Sequence, residues 1–242
     1  MFTSEIEKFI KIKNYPTFSP KAVFFDMDGV LFDSMKNHAT SWVKAMQEVG
    51  LQFTEKEAYM NEGRTGTSTI DGAFVKKLGR NATEVEKQEI YSLKSNFFEA
   101  CGKTEQMPFA LELLNKIQGQ NLQIYVVTGS GQHSLIDNLN HNFPTIFKKD
   151  KMVTAFDVKF GKPNPEPYLM ALKKSGVHPW EALVIENAPL GVQAATEAGL
   201  FTIAVNTGPL DPEVLSDSGA NVVLNDMEGL FQHWDAFSDN WS

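Results

Sequence analysis

The alternation of apolar and polar positions divides the chain into four stretches. Ser4 to Lys13 has the spacing of a short amphipathic helix, stopped near Tyr15-Pro16 because a residue before proline avoids the α region. The run Lys21-Ala-Val-Phe-Phe is continuously apolar, as expected for a strand buried on both faces. From Ser34 to about Glu105 the period becomes helical. Trp42, Val43, Met46 and Val49 form one apolar face closed by Gly50, and Ile70, Phe74, Val75 and Leu78 a second closed by Gly79. Ile90, Leu93, Phe97 and Phe98 form a third, and no convincing strand interrupts the series.

From Phe109 helices and strands alternate. Helices are predicted over Ala110–Ile117, from Ser134 to Leu139, over Pro165–Ser175 with Asn164 as N-cap, and over Leu190–Ala198 ended by Gly199. Strands are predicted over Leu122–Val127, Met152–Ala155, Ala182–Ile185, Phe201–Val205 and Asn221–Leu224. Such alternation predicts an α/β fold: a Rossmann-like parallel sheet core with an inserted helical cap domain. The expected boundaries are an N-terminal extension over 1–20, a catalytic core from 21–34 and 106–242, and a cap over 35–105. Phe231, Trp234 and Phe237 near the end form an apolar helical face suited to core packing.

Chemistry enters where strands end. Asp26 and Asp28 follow the first strand directly, in the crevice at the carboxyl end where open α/β sheets hold ligands. Two like charges so close call for a cation, and hard oxygen ligands select Mg²⁺. Gly29 lets the chain turn behind them. Thr128-Gly129-Ser130-Gly131 ends another strand with a hydroxyl and free backbone amides at a helix start, a cradle for phosphate. Lys162 lies in the stiff Gly161-Lys162-Pro163-Asn164-Pro165 loop, suited to balance Asp26 and a phosphoryl group. Glu186-Asn187 ends the strand Ala182–Ile185 with two further oxygen-bearing side chains.

Taken together, these four motifs resemble the haloacid dehalogenase superfamily of phosphotransferases, in its β-phosphoglucomutase-like branch, over about Lys21 to Leu224. The resemblance implies that Asp26 is a nucleophile forming an aspartyl-phosphate and that Asp28 is its general acid and base. It implies that Thr128 binds phosphoryl oxygens with Gly129 and Ser130, and that Lys162 neutralises charge. Metal ligands would come from Asp26, Asp28, Glu186 and Asn187. The usual Glu-Asp pair of the fourth motif is Glu186-Asn187 here, which removes one negative charge from the metal shell. Glu62, in the Asn61-Glu62-Gly63-Arg64-Thr65 loop that resembles the branch's substrate-specificity loop, is the candidate to replace it. An acid there is a poor contact for a phosphosugar. His38 and Lys94 match polar cap positions of the branch, which implies contacts with the substrate, or for Lys94 with Asp28.

The leading expectation is a Mg²⁺-dependent phosphohydrolase acting on inorganic pyrophosphate. The alternative is a β-phosphoglucomutase or sugar-phosphate phosphatase. A phosphate-binding module without catalysis is suggested only by the missing acid at Asn187, and the presence of Asp26, Asp28, Thr128 and Lys162 argues against it. A net charge of −8 argues against nucleic acid or an anionic membrane as partner. It leaves a small anionic phosphate substrate, with no protein partner implied. A single cysteine, Cys101, excludes an internal disulfide framework. Without a run of about 18 apolar residues, or a signal-type apolar stretch at the start, the expected location is the cytoplasm.

Overall fold

The computed structural model describes residues 2–131 and 133–241. Six parallel strands form one sheet in the order β3-β2-β1-β4-β5-β6. They are β1 (Ala22–Phe25), β2 (Gln123–Val127), β3 (Met152–Val153), β4 (Ala182–Glu186), β5 (Phe201–Val205) and β6 (Val222–Leu224). The chain winds outward from β1 through β2 to β3, then returns to add β4 on the other side. The order therefore reverses at β1, which is where open α/β sheets form their ligand crevice. Phe25 pairs with Val126 on one side and Ile185 on the other. This register brings Asp26 level with the ends of β2 and β4.

All four β1 residues are buried, and their side chains alternate between two cores. Val23 and Phe25 join one that includes helices α6 (Ala110–Gly119) and α11 (Met227–Ser238). Ala22 and Phe24 join the other, against α8 (Glu166–Ser175) and α9 (Pro189–Glu197). The small residues Ala194, Ala195 and Ala198 let α9 lie close to the sheet. The remaining core helices are α7 (His133–Asn142) and α10 (Pro212–Asp217).

The opening residues are more than an appendage. Helix α1 (Phe2–Lys13) buries Phe2, Ile6 and Phe9, and the Phe9 ring meets Phe201 edge-on at 5.3 Å. Between β1 and α6 the chain is helical throughout: α2 (Met35–Glu48), α3 (Glu55–Met60), α4 (Gly66–Leu78) and α5 (Glu84–Glu99). These share a separate apolar core around Trp42, Met46, Ile70, Phe74 and Ile90. Reciprocal capping boxes, Thr54 with Glu57 and Thr83 with Glu86, fix the starts of α3 and α5.

Three local expectations are corrected. The strand predicted over Met152–Ala155 spans only Met152–Val153. Val75 and Leu78, predicted on a packed face, are about half exposed at 52% and 51%, while Ile70 and Phe74 of the same face are buried. Helix α8 begins at Glu166 with Pro165 in the cap position, and Asn164 acts just outside it by accepting the Glu166 N–H at 2.9 Å.

Candidate active site

The site has a half built wholly from the sheet core and a half shared with the helical insert. In the first, Lys162 is buried with its ammonium 2.5 Å from Asp26 Oδ1, 2.7 Å from Glu186 Oε1 and 2.9 Å from the Val127 carbonyl. An ammonium has three protons, so all three are placed. The other Asp26 oxygen accepts the Asp28 N–H at 3.1 Å. Burial alone would pull the lysine's pKa down, but Asp26 and Glu186 outweigh it and raise it. Burial holds the Asp26 carboxyl well above the usual range, with Glu186 and Asp28 adding to the rise and Lys162 opposing it.

Glu186 departs from its expected role as a metal ligand. Its Oε1 accepts from Lys162 and from the Tyr168 hydroxyl at 2.8 Å, and its Oε2 accepts the Asn187 and Ala188 N–H groups at 2.9 and 3.1 Å. A carboxylate with four donors inside the protein is committed to holding Lys162. A side chain at Gly191 would collide with it, so only glycine lets α9 begin there. Asn187, by contrast, keeps its Oδ1 buried with no hydrogen-bond partner.

The second half surrounds Asp28, whose Oδ1 accepts from the Ser34 hydroxyl at 2.6 Å and lies 3.1 Å from His38 Nε2. Lys94 Nζ lies 2.9 Å from His38 Nδ1. An ammonium only donates, so Nδ1 accepts and Nε2 carries the proton offered to Asp28. Burial pushes the Asp28 carboxyl up, but His38, Ser34 and Lys94 together bring it below its ordinary value. Lys94 is buried against the rings of Phe98 and Trp42, and loss of water lowers its pKa to about 8. Glu62 faces the same group of charges. Burial raises its pKa and Asp28 adds to the rise, while His38, Lys94 and the Gly63 N–H oppose it.

The loop bearing Glu62 is closed onto the core. A Cβ on Gly63 would strike the Lys162 stem, and one on Gly129 would strike the Gly63 and Arg64 carbonyls, so backbone meets backbone at this seam. Tyr91 on α5 lies against Gly66, with its hydroxyl beside Gly131. What remains inside is a chamber of about 30 Å³, lined by Asp28, His38, Glu62, Lys94, Gly129 and Ser130 among others. That is space for about two waters, whereas pockets for drug-sized ligands run to about 300 to 1,000 Å³. Thr128 sits behind this wall with its hydroxyl accepting the Ser130 N–H at 3.0 Å. Among the described residues no three His, Cys, Asp or Glu side chains converge as a ready metal cluster. An oxygen shell here needs the Asn187 amide.

Of the predicted residues, Asp26, Asp28, Lys162, Glu186 and Asn187 therefore meet at the sheet edge, and His38, Glu62 and Lys94 close over it with Gly129 and Ser130. Sequence reasoning missed Ser34, Tyr91 and Tyr168. Tyr91 lies three residues before Lys94 and so on the same helix face, which was a usable signal. Nothing in the sequence marks Tyr168.

Buried carboxylates and a lysine at the switch point of a parallel sheet, under a helical lid, define a phosphotransferase type of site. The chain belongs to the haloacid dehalogenase-like hydrolase family, which matches residues 23–205. A solved structure from Bacteroides vulgatus, provisionally described as a beta-phosphoglucomutase, is 54% identical and superposes with a TM-score of 0.96, covering 100% of this chain and 98% of that one. Validoxylamine A 7'-phosphate phosphatase of Streptomyces hygroscopicus subsp. limoneus is 28% identical over 86% of this chain and 94% of its own length. Pyrophosphatase PpaX of Oceanobacillus iheyensis is 24% identical over 88% and 95%. The family fixes a phosphatase or phosphomutase chemistry, while the substrates named for these relatives differ.

Proposed function

We propose that this chain is a Mg²⁺-dependent phosphohydrolase that cleaves inorganic pyrophosphate through an aspartyl-phosphate on Asp26. The observation that carries the substrate reading is Glu62: an acid facing Asp28 in a chamber of about 30 Å³ that opens to admit substrate. A carboxylate there repels any phosphate it meets directly, so it suits a ligand of the Mg²⁺ that accompanies a small, highly charged phosphate. The metal reading is supported by the unpartnered, buried Asn187 Oδ1 beside hard carboxylate oxygens. Asp26, Asp28, Asn187 and Glu62 would hold Mg²⁺, which when bound supplies positive charge to the phosphoryl oxygens.

The chain's own groups then divide the work. Asp26, its carboxylate held between Lys162 and the Asp28 N–H, attacks phosphorus, and the bond to the leaving phosphate breaks. Lys162 neutralises charge, and Thr128, Gly129 and Ser130 offer hydroxyls and amides to the transferred group. Asp28 gives a proton to the leaving phosphate and takes one from the water that frees Asp26. His38 and Lys94 face the phosphate that is not transferred.

A sugar-phosphate reading has support from the Bacteroides vulgatus and Streptomyces relatives, and one experiment separates the two. Phosphate release with Mg²⁺ is measured on pyrophosphate, β-glucose 1-phosphate and hexose 6-phosphates, for wild type and Glu62→Ala. The expected result is a strong preference for pyrophosphate that falls about 10²-fold in Glu62→Ala, the loss seen when one charge-stabilising group is removed. Preference for a sugar phosphate, with Glu62→Ala nearly silent, would replace this reading. Asp26→Asn is expected to abolish turnover on every substrate.

A further inference from the structure

The chamber has a neighbour. On the outer side of the seam between α4 and the loop 159–164 lies an open cleft of about 500 Å³, lined by Arg64, Lys159, Asn164 and the hydroxyl residues Thr65, Thr67 and Ser68 among others. Arg64 is the one residue that lines both this cleft and the closed chamber. Its Nη1 donates to Ser68 Oγ at 3.2 Å, while its Nε–H is buried with no acceptor. No carboxylate among the described residues forms an ion pair with it, although twelve such pairs occur elsewhere. A half-buried guanidinium without a counter-charge is costly to keep unless an anion arrives to pair with it.

The rest of the cleft fits that anion. Lys159 is exposed on the core side, opposite the hydroxyl residues at the start of α4. The wall also carries two acids. Asp71 is paired with Lys87 at 2.9 Å, and Glu197 stands exposed at the far side. Lys162 contributes only its stem, since its ammonium is fully engaged by Asp26, Glu186 and Val127.

We infer that this cleft is a second phosphate site, anchored by Arg64 and Lys159, which takes the phosphate product as it leaves the chamber. Arg64 lines both spaces, so a phosphate that leaves the chamber when the seam opens passes directly by this residue into the cleft. Because the site touches both the insert and the core, phosphate bound there also holds the seam closed. The inference goes beyond the substrate reading, since any phosphatase with this site releases inorganic phosphate.

Calorimetric titration of the full chain with inorganic phosphate, in Mg²⁺, tests it without turnover. Wild type is expected to bind two phosphates per chain. Arg64→Gln and Lys159→Gln should each weaken one of the two at least about tenfold and leave the other unchanged, and Arg64→Lys should recover part of the loss. Lys159 is exposed, so its replacement reports on the cleft even if the Arg64 variants fold poorly. A single phosphate in wild type, or two sites untouched by Lys159→Gln, would overturn the inference. Hydrolysis of a sugar phosphate instead of pyrophosphate would leave it standing.

Discussion

The two halves of the site solve the problem of buried charge in opposite ways. In the core half, Asp26, Lys162, Glu186 and Tyr168 are all buried and satisfy one another from elements fixed by the sheet. In the insert half, Asp28, His38, Lys94 and Glu62 meet only because α2, α5 and the loop after α3 lie over the strand ends. Burial tells in both halves, raising the pKa of Asp26 in one, raising that of Glu62 and lowering that of Lys94 in the other. The core half is nonetheless a finished hydrogen-bonded unit, with the polar atoms of Lys162 and Glu186 all partnered within the protein. The insert half comes together only on closure, so it gains most when a charged ligand enters.

The largest effect expected from this contrast is on the finished unit. Lys162→Met leaves Asp26 and Glu186 buried without their cation, and breaking a buried pair in this way costs about 3 to 5 kcal/mol. Denaturant unfolding should show that loss. A variant as stable as wild type would mean that the two carboxyls take up protons at little cost, and that the core half is no unit.

The insert half should respond with the opposite sign as pH rises. Lys94 titrates near pH 8 in the folded chain, against 10.5 for an ordinary lysine. Below about 8 the folded protein bears the full cost of burying that charge. Between 8 and 10.5 the unfolded chain binds more protons, so stability rises with pH, and above 10.5 both states are neutral. The gain is on the order of 3 kcal/mol, and Lys94→Met should lack it. Parallel stability curves for the two proteins across this window would show that the ammonium is well solvated by its neighbours.

The same contrast explains what was legible in the sequence. The strands, their order of appearance and the residues at their ends follow from apolar runs and the polar residues that stop them, so the sheet and Asp26, Asp28, Thr128, Lys162, Glu186 and Asn187 could be read from local pattern. The partner of Glu186 could not be. Whether that carboxylate faces a metal or Lys162 depends on Tyr168 and on the close approach of α9 at Gly191, both set by packing between distant segments. Likewise the helix α1 reads as a separate extension because its burial depends on Phe201 and Phe237, some two hundred residues away in sequence.

The smallest effect separates the halves most finely. At Tyr91 the insert touches the Thr128–Gly131 turn: its hydroxyl lies beside Gly131 while its ring covers Gly66. Tyr91→Phe keeps the ring and removes only the hydroxyl, a polar contact worth about 1 kcal/mol. Because the contact joins two units already folded on their own cores, its loss should leave global stability nearly unchanged. It should instead weaken closure, lowering kcat/KM about fivefold, as 1 kcal/mol implies, with most of the change in KM if substrate binding and closure are coupled. A drop in stability of the full 1 kcal/mol with kcat/KM intact would show that the contact belongs to the permanent packing of the molecule, and that the insert half is as finished as the core half.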